Sequence, residues 1–79
     1  MTGMKRVLVT GAAGSVGTNL WKGWEAAGCY DLTLTDHRPI EGSTSRTEVG
    51  DIADRDLVTS LCEGQDVLVH LAYIPHKPL

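Results

Sequence analysis

Lys5-Arg6-Val7-Leu8-Val9-Thr10-Gly11-Ala12-Ala13-Gly14-Ser15-Val16-Gly17 is the stretch on which the fold turns. Val7, Leu8 and Val9 form a continuous, mostly β-branched apolar run. That is the mark of a strand covered on both faces, and it predicts a strand over Lys5–Thr10. Glycines then break the run. From Ser15 the apolar spacing turns helical: Val16, Leu20, Trp24 and Ala27 fall on one face with Gly23 beside them, and Gly28 is a good terminator. A helix is therefore predicted over Ser15–Ala27.

Working outward, Leu32 and Leu34 alternate with Thr33 and Thr35, which predicts a second strand over Asp31–Asp36. His37 to Ser45, with Pro39 and Gly42, has no helical period and reads as a loop. Arg46–Val49 is a short third strand, ended by Gly50. Asp54 is a plausible N-cap for an amphipathic helix over residues 55–63, carried by Leu57, Val58, Leu61 and Cys62. Gly64 stops it, and Asp66–Leu71 is a fourth strand built on Val67, Leu68 and Val69. Strands alternating with helices imply a parallel sheet, and right-handed crossovers set its order as 3-2-1-4. The fold class is α/β, a partial Rossmann fold with the switch point between strands 1 and 4.

In that context the spacing Gly11-x-x-Gly14-x-x-Gly17 acquires a chemical meaning. Gly11 permits the sharp turn out of the strand. Gly14 lets a pyrophosphate approach the backbone, and Gly17 lets the helix pack close to the sheet. The N–H groups of Ser15 and Val16 then face the phosphates, helped by the helix dipole. Asp36 ends strand 2 nineteen positions after Gly17. There it can accept hydrogen bonds from an adenosine ribose and repel a 2′-phosphate, which favours NAD over NADP. Arg38 and His37 read as solvated loop residues.

Composition sets outer limits. Seven Lys and Arg against ten Asp and Glu leave a net charge of −3, so no basic field exists to draw in nucleic acid or an anionic membrane surface. No apolar run reaches the ~18 residues of a membrane span. Cys29 and Cys62 are not in a Cys-x-x-Cys arrangement and read as reduced thiols in or near the core of a cytoplasmic protein. A chain of 79 residues is one small domain at most.

Thr10 to Gly17 resembles the nucleotide loop of the extended short-chain dehydrogenase/reductase family, the NAD-dependent sugar epimerases, dehydratases and uronate-type dehydrogenases. Gly50-Asp51-Ile52-Ala53-Asp54 resembles that family's Gly-Asp-hydrophobic segment after strand 3. His70-Leu71-Ala72 resembles its His-Leu-Ala at the end of strand 4. The resemblance runs from about Arg6 to Tyr73. It implies that Asp51 accepts from the adenine amino group and that the Ile52 N–H meets a ring nitrogen. It also implies that the backbone at Leu71 and Ala72 lies against the nicotinamide-side ribose and phosphates. Asp51 also reads as turn or cap chemistry, and His70 as a half-buried strand residue.

The expected cofactor site is therefore Gly11, Gly14, Ser15, Val16, Gly17, Asp36, Asp51, Ile52, Leu71 and Ala72, with no metal site. No catalytic residue is expected. Family members are several times longer, and their Tyr-x-x-x-Lys pair lies downstream of strand 4. Tyr73 and Lys77 match that pair by count, but Pro75 and Pro78 are incompatible with the helix it needs. Tyr73 also stands where the family has a small residue. The chain is thus expected to be a truncated N-terminal half that binds NAD without turnover, with a sugar or nucleotide-sugar substrate only in a full-length protein. A non-enzymatic NAD-sensing or assembly module, or part of an NADP-preferring atypical reductase, are the alternatives. Strand 4 is an apolar open edge, so self-association or a completing chain is expected.

Overall fold

A computed structural model describes residues 4–72. The element order is β1 (Lys5–Thr10), α1 (Ser15–Ala27), β2 (Tyr30–Asp36), β3 (Arg46–Val49), α2 (Arg55–Cys62) and β4 (Val67–His70). The four strands form one sheet in the order β3-β2-β1-β4, and every pairing is parallel. The expected topology is the observed one. Tyr73 to Leu79, and with them the Tyr73 and Lys77 reading, lie outside the described residues.

β1 is central because its apolar run can be covered on both sides. Val7 pairs with Leu32 and Val67, and Val9 with Leu34 and Val69. Val7, Val9, Leu32 and Leu34 share a core with Ala12 and Trp21, while Trp24, Ile40, Val69 and Leu71 pack against it. Leu8 and Thr33 take the opposite parity along their strands, and both are buried. α2 contributes Leu61 as its buried residue. Asp54 caps that helix by accepting the Leu57 N–H at 3.1 Å.

The inward face of α1 differs from the apolar stripe. Its buried residues are Gly17 and Trp21, while Val16 is 63% exposed. The helix is rotated by about one residue, roughly 100°, from the face that side-chain hydropathy picks out. Close packing of its first turn requires glycine, which a count of apolar side chains overlooks. Trp21 then turns inward, and its indole N–H donates to the Ala12 carbonyl at 2.8 Å. Cys29 also departs from expectation: it is exposed, because it sits just past the helix end, and Cys62 is half-buried.

Chain segment 37–45 crosses from β2 to β3 without a helix. Glu25 of α1 holds it in place. Its carboxylate accepts from the hydroxyls of Ser43 (2.6 Å) and Ser45 (2.5 Å) and from the amides of Ser45 (3.2 Å) and Thr44 (3.5 Å). Burial by itself would raise the Glu25 pKa, but these donors outweigh it and hold the group below its ordinary value. β4 lies at a sheet edge, with Val67 43% and Leu68 51% exposed. Among the described residues no helix is long and apolar enough to cross a membrane.

Candidate functional site

The carboxyl ends of β1, β2 and β4 meet at the glycine loop. There they enclose a cleft of about 310 Å³, lined by Gly11, Gly14, Asp36, His37, Arg38, Leu71 and Ala72. The switch point between β1 and β4 thus falls where a doubly wound sheet holds ligands.

Each glycine of the loop serves a different demand. Gly11 has φ +70, and a Cβ on it would lie 2.7 Å from the Ala72 nitrogen and 2.8 Å from the Leu71 carbonyl carbon. Loop and β4 therefore touch backbone to backbone. A Cβ on Gly17 would lie 2.5 Å from the Gly11 oxygen and 2.9 Å from the Ala12 Cα. Gly17 is thus what lets α1 start directly against the loop. Gly14 has φ −74, a conformation open to any residue. A Cβ there would meet the Gly11 oxygen at 3.4 Å and the tip of Arg38 at 3.9 Å, which is ordinary contact. Nothing in the packing of the described residues requires glycine at position 14.

The loop is rigidly held. Gly14 donates to the Gly11 carbonyl (3.1 Å), and Ala12 donates to the Thr35 carbonyl (3.1 Å). The Ala12 carbonyl accepts from Trp21 and from the Thr18 hydroxyl (3.1 Å). The first helical hydrogen bond is Thr18 N–H to Gly14 at 2.9 Å. The amides of Ser15, Val16 and Gly17 precede it, and among the described residues no side chain caps this helix. Uncapped amides at the positive end of a helix dipole form a ready anion site.

Asp36 stands opposite the loop and is only 3% exposed. Its Oδ2 accepts the Ala13 N–H at 3.0 Å. Its Oδ1 accepts the Arg38 N–H at 3.1 Å and the Arg38 Nε–H at 3.4 Å, with His37 Nδ1 3.2 Å away. Burial alone would raise this carboxyl, but the amides of Arg38 and Ala13 and the Arg38 guanidinium more than offset it and hold its pKa below the ordinary value. Asp36 is therefore ionised across the neutral range. Each of its oxygens has two lone pairs, so acceptor capacity remains for a ligand hydroxyl.

Of the expected site residues, Gly11, Gly14, Asp36, Leu71 and Ala72 line the cleft. Ser15 and Val16 lie exposed at the helix start, and Gly17 is buried behind the loop. Asp51 and Ile52 follow β3 and are not among the lining residues. The Asp51 side chain closes a turn by accepting the Ala53 N–H at 2.9 Å, while Gly50 N–H to Asp36 O (2.9 Å) ties the start of this segment to the end of β2. His37 and Arg38 are exposed loop residues, as expected, but sequence reasoning missed that they also line one wall of the cleft. The available signal was their position immediately after a strand-end acid. It also passed over Thr10, whose buried hydroxyl accepts the amides of Leu71 (3.1 Å) and Ala72 (3.3 Å).

Residues 7–79 match the profile of the NAD dependent epimerase/dehydratase family. The chain belongs to this family. As a family member it is 41% identical over 73 residues to the L-arabinose 1-dehydrogenase (NAD(P)(+)) of Haloferax volcanii, covering 92% of this chain and 27% of that enzyme. Among solved structures, uronate dehydrogenase from Agrobacterium tumefaciens superposes with a TM-score of 0.78 at 33% identity, over 95% of this chain and 29% of that one. MoeE5, solved in complex with UDP-glucose and NAD, superposes with a TM-score of 0.75 at 32% identity, over 90% and 23%. This epimerase/dehydratase-family chain thus spans less than a third of each of these relatives.

Proposed function

We propose that this chain binds NAD as the N-terminal half of a dinucleotide-binding domain. The pyrophosphate would lie on the amides of Ser15, Val16 and Gly17, and Asp36 would take the adenosine ribose. The observation that carries this reading is Gly14. Its φ is unexceptional and its Cβ position is open on the protein side. A bare backbone is therefore unexplained there by folding and explained by a ligand pressed against it. Asp51 and Ile52 are proposed to meet the adenine, and Leu71 and Ala72 the nicotinamide-side ribose. When bound, NAD supplies hydride acceptance at the nicotinamide; the residues of this chain hold and orient it.

The whole protein's activity is proposed as NAD-dependent oxidation, epimerisation or dehydration of a sugar or nucleotide-sugar. The similarity to arabinose and uronate dehydrogenases supports this. The chain alone is proposed to lack turnover, and to self-associate or to require a completing chain through the exposed β4 edge. A cytoplasmic setting is proposed for it.

Calorimetry with NAD and NADP tests the cofactor assignment. NAD should bind more tightly, and Asp36→Ala should weaken NAD about tenfold or more, since hydrogen bonds to a charged group are worth roughly 1.5–3 kcal/mol. Equal affinity of the unmutated chain for both cofactors would overturn the role given to Asp36.

A further inference from the structure

We propose that His70 is a positioning residue for cofactor binding: with Nδ1 unprotonated, it holds the Leu71–Ala72 wall of the cleft through the Thr10 hydroxyl. The inference rests on the cofactor site described above.

The bonds of one oxygen, Thr10 Oγ1, fix the direction of its contact with His70. Thr10 is buried, and its Oγ1 accepts the N–H groups of Leu71 and Ala72 at 3.1 and 3.3 Å. A hydroxyl oxygen has two lone pairs and one proton. Both lone pairs are filled, so the proton is what lies between Oγ1 and His70 Nδ1, 2.8 Å apart. Thr10 therefore donates, Nδ1 accepts, and the ring carries its proton on Nε2. His70 and Thr10 are register partners on β4 and β1, which fixes the pair's separation through the sheet.

Polarising the hydroxyl strengthens its oxygen as an acceptor. The two amides it holds belong to the segment that packs against Gly11, where a Cβ would come within 2.7 Å of the Ala72 nitrogen. That segment is one wall of the cleft. His70 is exposed, so protons reach it. A protonated ring presents an N–H at Nδ1 to an oxygen already saturated, and one accepted amide must be given up. The Leu71 N–H is shared with the Thr10 carbonyl at 3.2 Å, so Ala72, bonded to Oγ1 at the longer distance, is the amide whose hold depends on this oxygen.

Among the described residues, the other charged or titratable groups brought to this end of the sheet are Asp36, His37 and Arg38 and, on the far side of β2, Glu48 and Asp51 at the end of β3. His37 and Arg38 both lie against Asp36, and no hydrogen bond from any of these groups to His70 is present among the described residues.

The test is calorimetric NAD binding by the full chain at a series of pH values from about pH 5.5 to pH 8. Affinity should fall on acidification by about three- to tenfold, the scale of one neutral hydrogen bond. His70→Asn, whose Oδ1 replaces Nδ1 as acceptor, should keep the affinity seen at the alkaline end and lose His70's part of the fall. His70→Leu should bind weakly throughout. The same series in a His37→Gln background removes the second imidazole. Unaltered binding by His70→Leu, or an unaltered fall in His70→Asn, overturns the proposal.

If the parent chain binds no NAD at any pH, the cofactor reading fails and the positioning claim is read directly. Long-range nitrogen NMR should show Nε2–H on His70, and Ala72 amide exchange at fixed pH should quicken in His70→Leu. An Nδ1–H tautomer, or unchanged exchange, overturns it.

Discussion

Gly14→Ser should stabilise the fold and abolish cofactor binding. Gly14 is the N-cap of α1, with φ −74 and ψ 167, and no side chain among the described residues caps the helix. These angles are where a capping serine sits, and its hydroxyl would accept from the amides of the first turn. Serine is better than glycine at this position by a few tenths of a kcal/mol. Losing glycine's freedom in the unfolded chain adds roughly 0.4–1 kcal/mol where the native angles are compatible. The incoming Cβ meets nothing closer than 3.4 Å, so no strain offsets these gains. The net is about 0.5–1.5 kcal/mol, or a rise in Tm of roughly 2–10 °C for a domain of this size. The same hydroxyl would occupy the pyrophosphate's place and consume its donors. Each charged hydrogen bond lost is worth roughly 1.5–3 kcal/mol, so NAD affinity should drop about a hundredfold or more. Circular dichroism melts and calorimetry read the two effects separately. Binding undiminished in Gly14→Ser would show that these amides do not hold phosphate. A lowered Tm would show that the fold itself demands this glycine.

Gly11→Ala should instead unfold much of the population, because φ +70 and the Ala72 backbone oppose it together; a melt no lower than the parent's would refute that contact. Trp21→Phe removes the hydrogen bond to Ala12 and should cost about 1–2 kcal/mol of stability, read by denaturant unfolding, with the sheet retained, since the buried carbonyl keeps Thr18. For Glu25 the folded pKa lies below the ordinary 4.5. Its stabilisation is therefore complete above the unfolded value and drains away as pH falls through the lower, folded value. Glu25→Gln should flatten that acid limb of the stability curve, and an unchanged limb would place its origin elsewhere. The isolated chain should form no NADH from sugars or uronic acids; NADH formation lost in Tyr73→Phe would contradict this. Sedimentation should show association at micromolar concentration, weakened by Leu68→Lys on the exposed edge; a strict monomer would contradict the exposed-edge argument.

The sheet order was legible because the apolar runs at Val7–Val9 and Val67–Val69 are unbroken and the connections leave little topological choice. The loop was legible because glycine carries its own stereochemistry. The inward face of α1 was not. Gly17 and Trp21 are buried for reasons of backbone approach and a single indole hydrogen bond, and neither enters a count of apolar side chains. Arg38 and His37 are the solvated residues their sequence suggests, but their pairing with Asp36 was not legible, because Asp36 is buried by tertiary packing that local pattern does not report. The Glu25 clamp joins residues 18 to 20 positions apart, beyond the reach of any helical or strand period.

The cleft is closed by contacts of very long sequence separation. Thr10 meets His70, Leu71 and Ala72 across 60 to 62 positions. The first strand, glycine loop and first helix therefore form only part of the ligand site, and its remaining wall arrives with the fourth strand. Closing so long a loop is an entropic cost met before the contacts form, which makes the pocket a late product of folding. During synthesis the glycine loop leaves the ribosome some sixty residues before its partner. A nucleotide that binds the closed cleft thus draws the chain toward complete four-strand assembly by mass action, acting on the edge strand most exposed to mispairing.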